Sequence, residues 1–191
     1  DDAMRDAISR MASLHFVTST SAMARLTHMG YRNVHLVGNP CIDYIKNAPW
    51  RGPKPYPRPY VVVIYHPETI DGTDDLDKII ASLPTDKLAV FIMPNADRGS
   101  EEIRDNIEAY CGNHADRALW FEALPHGQFL NLLAHCDEFI GNSSSMLYEA
   151  PELKVNTRMV GKRQRGRTIP WGDAHASERI IKVLKYTAGT L

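Results

Sequence analysis

No stretch of this 191-residue chain approaches the roughly 20 consecutive apolar residues that a membrane-spanning helix requires. The opening Asp1-Asp2-Ala3 also lacks the basic-then-apolar order of a signal peptide. An excess of charge of one sign is missing too. With 22 Lys and Arg against 23 Asp and Glu the net charge is −1, so neither nucleic acid nor a membrane surface is expected as a partner. Any anion binding must therefore be local. Cysteine is scarce: Cys41, Cys111 and Cys136 are odd in number, widely spaced and free of any CxxC. That excludes a readable disulfide framework or zinc knuckle and fits a reducing, cytoplasmic compartment. His15 and His35 fall in expected strands and His28, His114 and His135 near helix ends, none with metal-ligand spacing to a thiol or carboxylate, so no metal site and no cofactor are expected.

What the chain does have is alternation. Short β-branched or aromatic runs are separated by longer stretches of helical periodicity, the pattern of βαβ units. Strands are expected at 14–18, 34–37, 60–65, 88–93, 118–121, 138–140 and 155–160, and helices at 3–11, 21–28, 74–82, 100–111, 125–135, 144–150 and 176–186. Ser21 is the expected N-cap of the second helix and Gly30 its stop. Residues 47–59 hold five prolines and read as a stiff connector. The fold class that follows is α/β: a Rossmann-like parallel sheet of six or seven strands with helices on both faces, in a single domain spanning 1–191. The chain opens on Asp1 rather than Met, and its first residues read as the middle of a helix, which points to a fragment.

Open parallel sheets bind ligands beyond the carboxyl ends of their strands, so post-strand residues carry the functional expectation. The most informative segment is Gly141-Asn142-Ser143-Ser144-Ser145, where an apolar strand ends and a helix opens. Free N–H groups, hydroxyls and the helix dipole converge there, which suits a phosphate. Glu149, one and a half turns on, is placed to accept from a ribose diol. A plain serine cap with a surface glutamate would leave the same trace. In the loop after the next strand, Lys162, Arg163, Arg165 and Arg167 put four cations in six positions, able to grip a diphosphate, although a solvated basic loop would look alike. His66 ends the strand Tyr60–Tyr65, and Pro67 holds its backbone extended, aiming the ring into the ligand crevice for hydrogen bonding or proton transfer. Met93-Pro94-Asn95-Ala96-Asp97-Arg98-Gly99 also follows a strand and reads as a turn in which Asn and Asp bond their own backbone.

Taken in order, these pieces resemble the C-terminal half of the UDP-N-acetylglucosamine 2-epimerases, particularly the hydrolysing kind of the sialic acid pathway. The likeness runs from residue 1 to about residue 170 through Val37-Gly38-Asn39-Pro40, His66-Pro67, Pro94-Asn95-Ala96-Asp97, the Gly141–Ser145 run, Glu149 and Arg163-Gln164-Arg165-Gly166-Arg167. It implies the second half of a GT-B fold, with UDP or UDP-N-acetylglucosamine as ligand. It further implies Asn142, Ser143, Ser144 and Ser145 around the phosphates, Glu149 on the ribose, Arg163 and Arg167 at the nucleotide, Phe129 beside the uracil, and His66 as the catalytic group next to the diphosphate. In such enzymes UDP leaves by elimination to a glycal, and water then adds to give N-acetylmannosamine. Two departures stand out. Met146 occupies the place of a customary glycine, and the acidic catalytic residues belong to a first domain that would lie before Asp1. The resemblance thus implies a partner, either a separate N-terminal domain or a second copy. Without it the last helix would expose an apolar face, bringing self-association or a repacked tail. A donor-binding domain of a UDP-sugar glycosyltransferase and a non-catalytic nucleotide-sugar-binding domain remain the alternatives.

Overall fold

Five consecutive residues, Tyr60-Val61-Val62-Val63-Ile64, are each no more than 6% exposed, which is possible only if both faces of their strand are covered. They form the centre of a computed structural model that describes residues 2–47, 49–68, 75–167 and 172–188. In chain order the elements are α1 (Asp2–Met11), β1 (His15–Val17), α2 (Thr20–His28), β2 (Val34–Leu36), α3 (Pro40–Asn47), β3 (Tyr60–Ile64), α4 (Leu76–Ala81), β4 (Leu88–Ile92), α5 (Ser100–Asn113), β5 (Ala118–Phe121), α6 (His126–Ala134), β6 (Glu138–Gly141), α7 (Ser145–Leu153), β7 (Thr157–Met159) and α8 (Ala176–Ala188). They fall into two compact units, one within 48–168 and one made of 1–47 with 169–191.

The first of these holds a five-stranded parallel sheet in the order β5-β4-β3-β6-β7. Strand alternation divides its core in two. Val61, Val63, Ala89, Phe91 and Ile140 face Leu76 and Ile79 of α4 and Ile103 and Ile107 of α5. Tyr60, Val62, Ile64, Val90 and Phe139 face Leu132 and Leu133 of α6 and Met146 and Ala150 of α7. The chain steps outward from β3 to β5 and then returns to β6 on the other side of β3. A topological switch point results between β3 and β6, the place where such sheets open a crevice.

β6 meets β3 unusually closely. Gly141 has φ 137°, and a Cβ there would lie 1.8 Å from the carbonyl oxygen of Ile64. Only glycine allows this backbone conformation and this approach together.

In the other unit β1 and β2 pair in parallel, with α2 as their crossover. The buried Asp43 of α3 accepts from Ala176 N and Ser177 N, capping α8. Burial works against its charge, but the bonds from Ser177 and Ala176 outweigh it and hold the carboxyl below its ordinary pKa. Met4, Ile8 and Met11 form an exposed stripe at helical spacing on α1, and Ile181, Leu184 and Tyr186 are exposed on α8. Ile181 and Leu184, one turn apart, leave apolar surface open on one side of α8, and Tyr186 stands on another side.

All seven expected strands form, within a residue or two at their ends, but they divide between two sheets of five and two. Two expectations need correction. The N-cap of α2 is Ser19, whose Oγ accepts from Ala22 N at 3.2 Å, while Ser21 only bonds Ser19. And 40–47, given no element from the sequence, is helical: Asn39 Oδ1 accepts from Cys41 N and Pro40 occupies the first turn, where its missing N–H costs nothing. Asp74 at the expected start of α4, Ala48 of the connector and Ile169-Pro170-Trp171 of the tail lie outside the described residues.

Replacing Gly141 by alanine must push β6 off β3. We expect Gly141→Ala to lower unfolding free energy by about 3 kcal/mol or more, or to prevent folding. Urea denaturation measures this, and a midpoint equal to the parent's would contradict the close approach.

Candidate functional site

Immediately past Gly141, Asn142 is fully buried and spends its whole side chain on the neighbouring strand exit. Its Oδ1 accepts from His66 N at 2.7 Å and its Nδ2 donates to His66 O at 2.8 Å. The amide is thus a clamp that sets the backbone of His66. The carbonyl of Asn142 accepts from Gln164 Nε2 at 2.8 Å, which ties the loop after β7 to the same point. Three strand exits, after β3, β6 and β7, converge through one residue.

Above them opens a cavity of about 1050 Å³, lined among others by His66, Phe129, Ser143, Ser144, Ser145 and Arg163. At its floor α7 begins. Ser143 Oγ accepts from Ser145 N at 3.3 Å, and Ser144 makes no side-chain cap. The N–H groups of Ser143 and Ser144 have no acceptor among the described residues. Unmatched donors at the positive end of a helix form an anion seat.

Arg163 reaches the same cavity. Its guanidinium lies 3.8 Å from the Asp97 carboxylate, a half-exposed pairing weak enough for a bound anion to displace.

His66 is 7% exposed, and Asn95 N donates to its Nδ1 at 3.4 Å, which leaves the proton on Nε2. Burial, and next the Arg163 cation, push its pKa down to about 4, with Asp97 opposing. The ring is therefore neutral in the unliganded site at pH 7, a hydrogen-bond donor rather than a cation.

On the far wall α6 starts with His126, and Phe129, one turn later, lines the cavity while its ring meets Phe139 edge-on. Glu149 stands behind this wall, its side chain 12% exposed and its Oε1 3.7 Å from His126 Nε2. Met146 packs into the core beneath α7, so it takes no space from the cavity.

The structure thus brings together six of the residues singled out from sequence, His66, Phe129, Ser143, Ser144, Ser145 and Arg163, with Glu149 one contact away. Asn142, Lys162, Arg165 and Arg167 are placed otherwise. Asn142 does not face the cavity, since both polar atoms of its amide are committed to His66. Arg167 is exposed and off the cavity wall, because the chain turns at Gly166, φ 74°, and carries it outward. Residues 94–99 line the cavity and are held by backbone bonds, Asp97 N to Asn95 O and Ser100 N to Asp97 O, while the Asp97 carboxylate faces Arg163 instead of its own backbone. Sequence reasoning missed Gln164, whose only signal was a polar residue between two arginines. It also missed Glu68, whose carboxylate accepts from Lys162 N at 2.7 Å and Arg163 N at 3.3 Å.

Residues 1–171 match the family model described as UDP-N-acetylglucosamine 2-epimerase. A Legionella pneumophila UDP-N,N'-diacetylbacillosamine 2-epimerase (hydrolyzing) is 30% identical over 179 residues, which cover 86% of this chain and 47% of the relative. A Campylobacter jejuni GDP/UDP-N,N'-diacetylbacillosamine 2-epimerase (hydrolyzing) is 29% identical, covering 87% of this chain and 47% of the relative. The chain thus spans about half the length of these curated relatives. Among solved structures, the S. aureus MnaA–UDP co-structure superimposes with a TM-score of 0.67 at 18% identity, covering 98% of this chain and 62% of that one. Its likeness speaks for the fold, the second half of a GT-B architecture.

His66 carries a stability consequence. An unfolded chain takes up the imidazole proton near pH 6.5, the folded one only near 4. The contribution is therefore complete above pH 6.5 and is lost as pH falls toward 4, a swing of roughly 3 kcal/mol. NMR titration of the ring should give a midpoint near 4, and a midpoint at 6 or above would show that the ring is not held as described.

Proposed function

This chain belongs to the UDP-N-acetylglucosamine 2-epimerase family, and on that premise we propose that it is the nucleotide-sugar-binding half of a hydrolysing 2-epimerase acting on a UDP-N-acetylhexosamine. The observation that carries this reading is the convergence of the open start of α7, neutral His66 and Arg163 on one cavity.

In this reading the diphosphate sits against the N–H groups of Ser143 and Ser144, with Arg163 exchanging Asp97 for a phosphate oxygen. Phe129 offers a flat apolar wall to the base, and Glu149, beside His126, accepts from the ribose hydroxyls. The reaction breaks the bond from the anomeric carbon to the β-phosphate oxygen and removes the proton at C2. Water then adds to the glycal, so that one UDP-sugar and one water yield UDP and the free 2-epimeric sugar. His66 acts at the departing oxygen. Its Nε2–H bond strengthens as charge accumulates there, which stabilises the departing diphosphate while the proton stays on the ring. The acid and base for C2 belong to a further domain, supplied by the same protein or by another copy. The exposed stripe on α1, with Ile181 and Leu184 exposed on α8, supports such a partner. Three cysteines outside any disulfide favour a cytoplasmic setting.

Calorimetric titration of UDP is expected to give a Kd in the micromolar range, with Glu149→Ala weakening it about tenfold. Absence of binding at millimolar UDP would end this reading. Incubation of UDP-N-acetylglucosamine with the protein and its partner domain is expected to release N-acetylmannosamine, whereas sugar appearing on an acceptor would indicate a transferase.

A further inference from the structure

The loop after β7 has no regular secondary structure, yet it must hold Arg163 at the cavity edge. Hydrogen bonds within the loop itself do not fix it to the body of the unit: Arg165 N reaches only Lys162 O, and Arg167 N only Gln164 O. Among the described residues three sets of hydrogen bonds tie it to the neighbouring strand exits, besides the Arg163–Asp97 pair. Val160 N donates to Gly141 O, Gln164 Nε2 donates to Asn142 O, and the successive N–H groups of Lys162 and Arg163 both point at one oxygen, Glu68 Oε1.

Gly161 makes the last arrangement possible. Its φ of 75° turns the two following N–H groups to the same side, forming a small concave anion seat, and a Cβ at this position would lie 1.8 Å from Glu68 Oε1. The seat is filled from within the protein. Glu68 does not line the cavity, so its charge is spent on backbone rather than on ligand.

The location of Glu68 gives this contact its meaning. It lies two residues past His66, separated from it only by Pro67, whose ring fixes the backbone angle between them. His66 is itself anchored by Asn142. The histidine and the arginine are thus mounted on one frame: Asn142 to His66, Pro67 to Glu68, Glu68 to the backbone of Arg163, and Gln164 back to Asn142.

We propose that Glu68 is a positioning residue, which holds the Gly161–Arg163 turn so that the Arg163 guanidinium stands beside His66 and can meet a nucleoside diphosphate. The inference rests on the nucleotide-binding reading above. Its chemistry is specific: one carboxylate oxygen takes two backbone N–H bonds, a task that an amide oxygen can also perform and a methyl group cannot.

UDP titration of parent, Glu68→Ala, Glu68→Gln and Gly161→Ala proteins separates the outcomes. Glu68→Ala is expected to weaken UDP at least about tenfold, with Glu68→Gln staying within about threefold of the parent because its oxygen still accepts both N–H groups. Gly161→Ala should reproduce the alanine effect by driving the carboxylate out of its seat, and should add little in a Glu68→Ala background. Arg163→Ala should likewise add little there. The His66 midpoint followed by NMR is expected to rise in Glu68→Ala, since the cation that helps depress it leaves while Asp97 stays. A merely stabilising Glu68 would lower the melting temperature and leave both readouts unmoved in folded protein. Parent-like UDP affinity in Glu68→Ala, or a Glu68→Gln protein as impaired as the alanine, overturns the proposal. Should the parent itself fail to bind UDP, the nucleotide reading falls, and the His66 midpoint alone still decides whether Glu68 places Arg163.

Discussion

The site depends on how closely β6 lies against β3 where both strands end. Gly141 brings its backbone against the Ile64 carbonyl, and one residue later the Asn142 amide fastens both backbone polar groups of His66. These buried bonds are exchanged within a nearly dry interior, where an unmade partner costs far more than a made one gains. The switch point of the sheet supplies a crevice, and the Gly-Asn pair decides which atoms border it. His66 on one side and the start of α7 on the other are held in mutual register by the same two residues.

Electrostatics then follow from placement. The cavity carries cation and anion together, Arg163 against Asp97, and keeps its histidine uncharged through burial. In the proposed function such a site would take an anion by exchange of partners rather than by a standing excess of positive charge, which agrees with a chain whose overall charge is near zero.

Much of this was legible in the sequence, for identifiable reasons. β3 and β4 announce themselves as unbroken apolar runs, and His66 and the serine run sit where a parallel sheet presents its ligand. The helix at 40–47 was missed because the prolines that follow it dominate the reading, although Asn39-Pro40 is itself a helix-start signal. The division of seven strands into two sheets could not be read, since strand patterns do not reveal which partners they choose. Asn142 was set beside the phosphates by family likeness, and its commitment to His66 spans 76 residues of sequence, beyond the reach of any local pattern. Glu68 and Gly161 form a pair of the same long-range kind, with no local periodicity to betray them.

The turn from β6 into α7 also constrains how such a chain can vary in length. Gly141 answers to Ile64, Asn142 to His66, and Ser143 and Ser144 to the cavity, so each residue has an appointed counterpart on another element. Adding or removing a single residue here would leave β6 paired as before but shift the residues after it, handing their counterparts the wrong neighbours. The far ends of the helices, where the chain returns to the amino edge of the sheet, are the places where this part of the fold can gain or lose residues without disturbing the short carboxyl-edge turn.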